Sequence, residues 1–474
     1  MKDIPPTILT NASRTNFRLG LIVFCSLATL LSFIVLASFG AVPVKSSPGE
    51  DQLWRENHQV GSVSEAGPGF YRALTLNENA QRKLLRHAPM EFSKAAELNQ
   101  VVMTLPMPDG KLARFRVEES PVMASRLAAM FPEIKTYRGQ GLDDPTATAR
   151  FDLTPAGFHA IVLSDHGTVI IEPARGERAG QYVSYDQRDA LKNSGSFHCL
   201  LSNAGHSSSQ PLQHSFSATL PAATGATLRT YRLALAATAE YAQTYGGGTV
   251  AGALSALTTT VNGVAAIYER DLAIRLMLVD NETSIIFTNP ATDPYTSDNP
   301  GMLLTQNQTV LDQRIGSFNY DIGFVLDGHV YAFQPGFFLF QGAGQPQSVC
   351  VNGQKAKGVT ILRSIEPSTI SAIWDVAHEM GHQFGALHTF NGTTEDCAPP
   401  SGRFAQTAYE TGSGSTIMAF RGGTAPNGTY LPLCTTEDLR STDTYFHAAS
   451  IEQIGQLHHE RQRQHLPGAD ANRQ

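Results

Sequence analysis

The first strong pattern along the chain is a run of apolar positions from Leu19 to Val44, unbroken by charge until Lys45 and preceded by Lys2, Arg14 and Arg18. An apolar run behind a basic start predicts that residues 1–41 are an export signal or an N-terminal membrane anchor. Ser38 and Gly40 offer small side chains for cleavage before Ala41. The run is long for the core of a cleaved leader and long enough to span a bilayer, so both readings stand. Each carries the rest of the chain out of the cytosol.

Beyond it the period changes to two. Residues 101–105 are strand-like and meet a turn signal at Pro106, Pro108, Asp109 and Gly110, and 113–117 alternates as a return strand would. Residues 157–163 and 168–171 repeat the pattern, and 77–85 carries a short helical one. Residues 42–192 therefore predict a β-rich region. Residues 193–227, rich in Ser, Ala, Gly, Asn and Thr, read as a linker.

From 228 onward strands and helices alternate, which implies an α/β layer. Strands are expected at 228–235, 274–279 and 321–326, and helices at 250–272, 371–384 and 446–466. Residues 467–474 are a polar tail.

Composition narrows the classes. A chain of 474 residues with 42% hydrophobic and 16% charged residues is a multi-domain globular protein. Its net charge of −7 argues against nucleic acid as a partner. Of five cysteines, Cys25 lies in the leading apolar run. Cys199, Cys350, Cys397 and Cys434 remain for the exported part, and four cysteines allow three pairings.

The chemistry concentrates at 378–388, which reads His-Glu-Met-Gly-His-Gln-Phe-Gly-Ala-Leu-His. On a helix, His378 and His382 lie one turn apart on one face and can reach one ion. Glu379 sits beside the first ligand, placed to act as general base on a metal-activated water. A continuing helix would point residue 388 away. Gly385 tolerates positive φ, so the chain can turn there and bring His388 back. Three imidazoles leave the fourth position of a tetrahedral zinc open for water, the mark of a catalytic site.

This pattern resembles the metzincin zinc peptidases. Met418, in the stretch Tyr409 to Ala419, looks like the methionine of their Met-turn. Within them the chain most resembles the reprolysin-like (adamalysin-related) family in its bacterial secreted form, over about 228–456. The resemblance implies an α/β metzincin catalytic domain at 228–466, a mixed twisted sheet with an active-site helix, preceded by a β-rich pro-region at 42–192. It implies one zinc per chain, held by His378, His382 and His388, with Glu379 as base. It implies protein or peptide substrates and an exported endopeptidase made as a latent precursor. Membrane contact would come only through residues 19–41.

Two positions depart from relatives. Thr389 stands where animal reprolysins usually carry Asp, and Phe420 stands where astacin-like and serralysin-like enzymes carry a zinc-reaching Tyr.

Weaker features remain. Several metzincins block the zinc with a pro-region cysteine, which makes Cys199 a candidate latency ligand, although its neighbours match no such motif and a disulfide to Cys350 is an alternative. Cys397 and Cys434 bracket the Met-turn and are the favoured disulfide pair. His447, His458, His459 and His465 read as a solvated helix face more readily than as a second metal site. Asn281, Asn307, Asn391 and Asn427 sit in Asn-x-Thr sequons. Residues 330–349, with Phe333, Phe337, Phe338 and Phe340, contain either a substrate-pairing edge strand or a loop packed on the core. The competing function is a catalytically inactive scaffold used for binding or adhesion. Such scaffolds usually lose the base or a ligand, and this chain keeps all four.

Overall fold

The structure is a computed structural model. It describes residues 53–57, 70–174, 180–191, 197–199, 227–328, 340–362, 369–394, 397–398, 402–420, 423–424, 430–431, 434 and 443–464. The leading apolar run, Cys25, most of the linker stretch, Phe333, Phe337, Phe338, Asn427, His465 and the tail lie outside the described residues, as does the side chain of His459.

The alternating segments form one antiparallel sheet. Its strands are β1 (Trp54–Glu56), β2 (Arg72–Leu76), β3 (Val101–Pro106), β4 (Leu112–Glu119), β5 (Lys135–Gly141), β6 (Thr148–Thr154), β7 (Gly157–Ser164), β8 (Gly167–Pro173) and β9 (Gln181–Asp186). The spatial order is β1-β2-β9-β8-β7-β6-β5-β4-β3. Helix α1 (Glu78–Leu85) starts at Asn77, whose side chain accepts from Ala80 N at 3.1 Å. One face of the sheet buries Met103, Leu105, Phe115, Val117, Phe151, Phe158 and Tyr182 in a core of its own.

The second sheet runs β10 (Phe197–Cys199), β14 (Phe340–Gly344), β15 (Gly358–Leu362), β13 (Ile322–Gly328), β11 (Arg229–Ala237) and β12 (Ile274–Leu278) in spatial order. It is mixed: β14 runs antiparallel to β15, and every other pairing is parallel. Its helices are α2 (Ala239–Gly246), α3 (Val250–Leu272), α4 (Pro300–Arg314), α5 (Thr369–Gln383) and α6 (Ala448–Gln464). Strand β10 lies within the 193–227 stretch read as a linker. Its three residues gain a full ladder on the edge of β14, which composition alone does not reveal.

Helix α3 joins the two sheets. Thr249 caps it, accepting from Gly252 N at 3.0 Å. It is buried on nearly all sides, as expected of a helix apolar all round. One flank packs on β6 and β7 and another on α5. Leu254, Leu257, Val261, Val264 and Ile267 are fully buried there, each stabilising by about 1.5–3 kcal/mol.

Residues 122–124 then extend the second sheet past β12. Leu278 N donates to Val122 O at 2.8 Å, and Ala124 N donates to Leu278 O at 2.9 Å. The described residues between 53 and 464 accordingly cluster as one compact unit.

Polar residues seal this seam. Alternation along β6 sends Ala149, Phe151 and Leu153 into the first sheet's own core and turns Arg150 and Asp152 toward α3. Arg150 pairs with Glu269 of α3. Arg275 of β12 binds both Glu269, at 2.6 Å, and Glu91.

Candidate metal centre

Helix α5 carries the first two histidines. It is held from below by Tyr268 of α3, whose hydroxyl donates to Ala377 O at 2.9 Å. Trp374, Val376, Ala377 and Met380 are fully buried around it. The helix ends at Gln383 in a Schellman turn: Ala386 N donates to Gly381 O at 2.9 Å and Gly385 N to His382 O at 2.8 Å. Gly385 has φ +100°, a region closed to most side chains. The chain reverses there and returns His388 to the face occupied by His378 and His382.

The three imidazoles converge through Nε2. His382 Nε2 lies 3.2 Å from His378 Nε2 and 3.1 Å from His388 Nε2, and all three side chains are fully buried. Each ring turns its other nitrogen to a carbonyl: His378 Nδ1 to Ile417 O at 2.6 Å, His382 Nδ1 to Ala386 O at 2.7 Å and His388 Nδ1 to Gly402 O at 2.7 Å. A carbonyl only accepts, so each Nδ1 carries the proton and each Nε2 presents a lone pair. Three lone pairs at such distances repel one another unless a cation sits between them.

The residues fit zinc on this evidence. Nitrogen ligands about 2.0–2.1 Å from a tetrahedral zinc stand about 3.3 Å apart. Burial works in the same direction. It pushes the His382 imidazole down to about 4 and His378 well below its usual range, keeping both neutral and able to ligate.

A fourth donor completes the cluster. Cys199 Sγ lies 3.5 Å from His382 Nε2 and 3.6 Å from Glu379 Oε2. Its sulfur and the three imidazoles hold donor atoms within 4.8 Å of one another. No other such group of His, Cys, Asp and Glu occurs among the described residues. Cys199 arrives there because β10 pairs with β14, placing Cys199 opposite Gly342.

Glu379 is also fully buried, and its Oε1 has no hydrogen-bond partner among the described residues. Burial pushes its carboxyl well above the carboxylate range; the Cys199 thiol opposes this and the charge of Asp375 adds to it.

Met418 lies beneath the cluster, buried against α5 at Gly381, and its carbonyl accepts from Thr389 N at 3.2 Å. Phe420 sets its ring edge-on to His388 with centroids 4.7 Å apart. A phenyl ring offers no ligand atom. Thr389 donates its hydroxyl to Glu410 Oε2. Glu410 also accepts from Ser415 N at 2.9 Å, Thr416 N at 3.1 Å and Thr416 Oγ1 at 2.6 Å. It thereby ties the segment leaving His388 to the turn carrying Met418. The Met-turn pattern includes Glu410 in its stretch but gives it no role. The signal available was Thr389 itself, a neutral residue where relatives carry an acid.

Cys397 and Cys434 are disulfide-bonded. Cys350 is exposed and, like Cys199, takes part in no disulfide, so the alternative pairing between those two is not formed. His458 Nδ1 bonds the Tyr231 hydroxyl at 2.6 Å, and His447 stacks on Tyr409, so both have structural partners. Asn307 is fully buried, donating to Ala356 O at 2.6 Å and accepting from Tyr295, which closes that sequon to modification in the fold.

Residues 227–443 match the family model described as metallo-peptidase family M12B, reprolysin-like. No curated protein matches the chain. Among solved structures, metalloproteinase-II from Bacteroides fragilis aligns over 80% of this chain and 95% of its own, at 11% identity and a TM-score of 0.43. Residues 227–443 are thus identified by that match with the reprolysin-like M12B metallopeptidases, a family of metal-dependent enzymes acting on proteins or peptides.

Proposed function

We propose that the chain is an exported zinc endopeptidase of metzincin architecture, made as a latent precursor. The observation that carries this reading is the convergence of three Nε2 lone pairs beside a buried carboxylate. His378, His382 and His388 would hold the zinc, with Gly385 making the turn and Met418 forming the floor. When bound, zinc supplies Lewis acidity, lowers the pKa of a coordinated water toward ~7 and by its charge favours ionised Glu379.

The rest belongs to this chain's own groups. Glu379 takes the proton of the attacking water and delivers it to the leaving amine. The three Nδ1–H···O=C bonds hold the imidazoles in one tautomer and one orientation, so no reorganisation accompanies turnover.

Latency would come from Cys199, as a thiolate in the fourth position. A sulfur about 2.3 Å from a tetrahedral zinc stands about 3.6 Å from its nitrogen co-ligands, and Cys199 Sγ lies 3.5 Å from His382 Nε2. Residues 42–192 act on this reading as a pro-region. Residues 1–41 supply the export signal or anchor, and N-terminal sequencing of the mature protein separates cleavage from retention.

The test is metal analysis with hydrolysis of unfolded casein by processed protein. One zinc per chain, with activity lost to a chelator and restored by zinc, is expected. Full activity of the metal-free protein, or a zinc-loaded protein without peptidase activity, overturns the reading; the latter outcome is that of a binding scaffold.

A further inference from the structure

We infer that Gly342 is a positioning residue for the Glu379 carboxylate, which occupies the space where any other residue would carry its Cβ. The inference rests on Glu379 being the base.

Strand β14 crosses α5 at very short range. A Cβ built on Gly342 would lie 2.4 Å from Glu379 Oε1, 2.6 Å from its Cγ and 2.8 Å from its Cδ. Two residues on, a Cβ on Gly344 would lie 2.1 Å from the Glu379 carbonyl oxygen and 3.0 Å from His382 Cβ. The two glycines thus do different things. Gly344 lets the strand approach the helix backbone, whereas Gly342 leaves room for the working end of one side chain. Gly342 is not among the residues with positive φ, so its backbone would accept alanine, and the three atoms nearest to an added Cβ all belong to the Glu379 side chain.

Nothing polar does the same task. Oε1 has no hydrogen-bond partner among the described residues. Oε2 meets Cys199 Sγ at 3.6 Å, and on the proposed reading that thiol must leave before the enzyme works. After it leaves, the carboxylate is placed by its walls, and the wall at Oε1 is the Cα of Gly342. Cys199 and Gly342 are direct partners across the β10–β14 ladder, so the thiol enters over the same gap. A methyl group there would move the carboxylate by about 1 Å to restore ordinary contact. A shift of that size in a catalytic group costs on the order of 100-fold in rate.

The experiment compares Gly342→Ala with wild type in processed enzyme made from the full-length chain. Expected is a fall in kcat of about 100-fold, with KM, zinc content and melting temperature close to wild type. Gly344→Ala, which meets backbone, should instead lower the melting temperature. In a Glu379→Asp background the shorter side chain draws back from the wall, and adding Gly342→Ala should change kcat less than threefold.

A Gly342→Ala enzyme with kcat within twofold of wild type overturns the inference. So does a loss of zinc or fold that the Glu379→Asp background fails to relieve, or an equal fall in kcat in both backgrounds. Failure of the underlying reading looks different, because Glu379→Asp alone would then leave kcat unchanged.

Discussion

Cys199 Sγ stands 3.5 Å from His382 Nε2, a contact between a three-residue strand and the active-site helix that depends wholly on β10 pairing with β14. A thiolate at that position would exclude water from a bound zinc. The full-length Cys199→Ala precursor should therefore hydrolyse casein at least tenfold faster than the unprocessed wild type, with zinc content unchanged. If the variant precursor is no more active than wild type, the sulfur is not the block, and cover of the cleft by β10 alone becomes the cause of any latency.

The convergence of the three histidines was legible in the sequence for a definite reason. They are close along the chain, so helix periodicity and one glycine suffice to bring His378, His382 and His388 together. The destination of Cys199 was legible only as an analogy. Its place follows from a pairing between β10 and β14, which are remote in sequence, and no local pattern encodes a partner strand.

Helix α4 was not read because its buried face includes Asn307 and Gln308, which break the apolar period. Their side chains bond Ala356 O, Ala356 N and Tyr320, so polarity is satisfied inside the fold. Strands β5 and β6 were hidden in the same way, by Arg138, Arg150 and Asp152 paired with Glu118, Glu269 and Thr259.

Glu410 gathers four donors from the turn around Met418 and from Thr389, the residue after the third histidine. Glu410→Ala leaves those donors without their acceptor, at about 1–3 kcal/mol, and frees the segment that orients His388. Zinc affinity should fall about 10–100-fold, the usual cost of losing an outer support of a metal ligand. Competition with a chromophoric chelator measures it. Unchanged affinity would mean that His388 is held without Glu410, by Gly402 O, Thr407 and its aromatic neighbours.

Asp293 offers a pH signature away from the metal. Its carboxylate accepts from Ala239 N, at the start of α2, and from Tyr295 N at 2.8 Å. Burial nevertheless pushes its pKa from 3.8 up to about 6, with the two backbone bonds opposing. A raised folded pKa means that the folded state holds the proton more tightly. The contribution is full below about 4 and is lost as pH rises through about 6. The difference in melting temperature between wild type and Asp293→Asn should therefore shift against wild type from pH 4 to pH 7.5. A difference independent of pH would show that Asp293 titrates normally.

The seam between the two sheets gives the last prediction. Glu269 is shared by Arg150 and Arg275, while Arg275 also holds Glu91. Arg150 is nearly fully buried, and burial lowers its pKa against the pull of Glu269. Removing the shared acid leaves Arg150 with only Ser120 as a neutral partner, so Glu269→Ala should destabilise the full-length chain by about 3–5 kcal/mol. Arg150→Met is the informative control. It leaves Glu269 paired with Arg275 and replaces the buried guanidinium by apolar volume, so it should cost less than half as much. Denaturant midpoints of the two variants decide the matter. A larger loss for Arg150→Met than for Glu269→Ala would mean that the arginine anchors the seam through its Ser120 contacts and packing, and that the shared carboxylate is secondary.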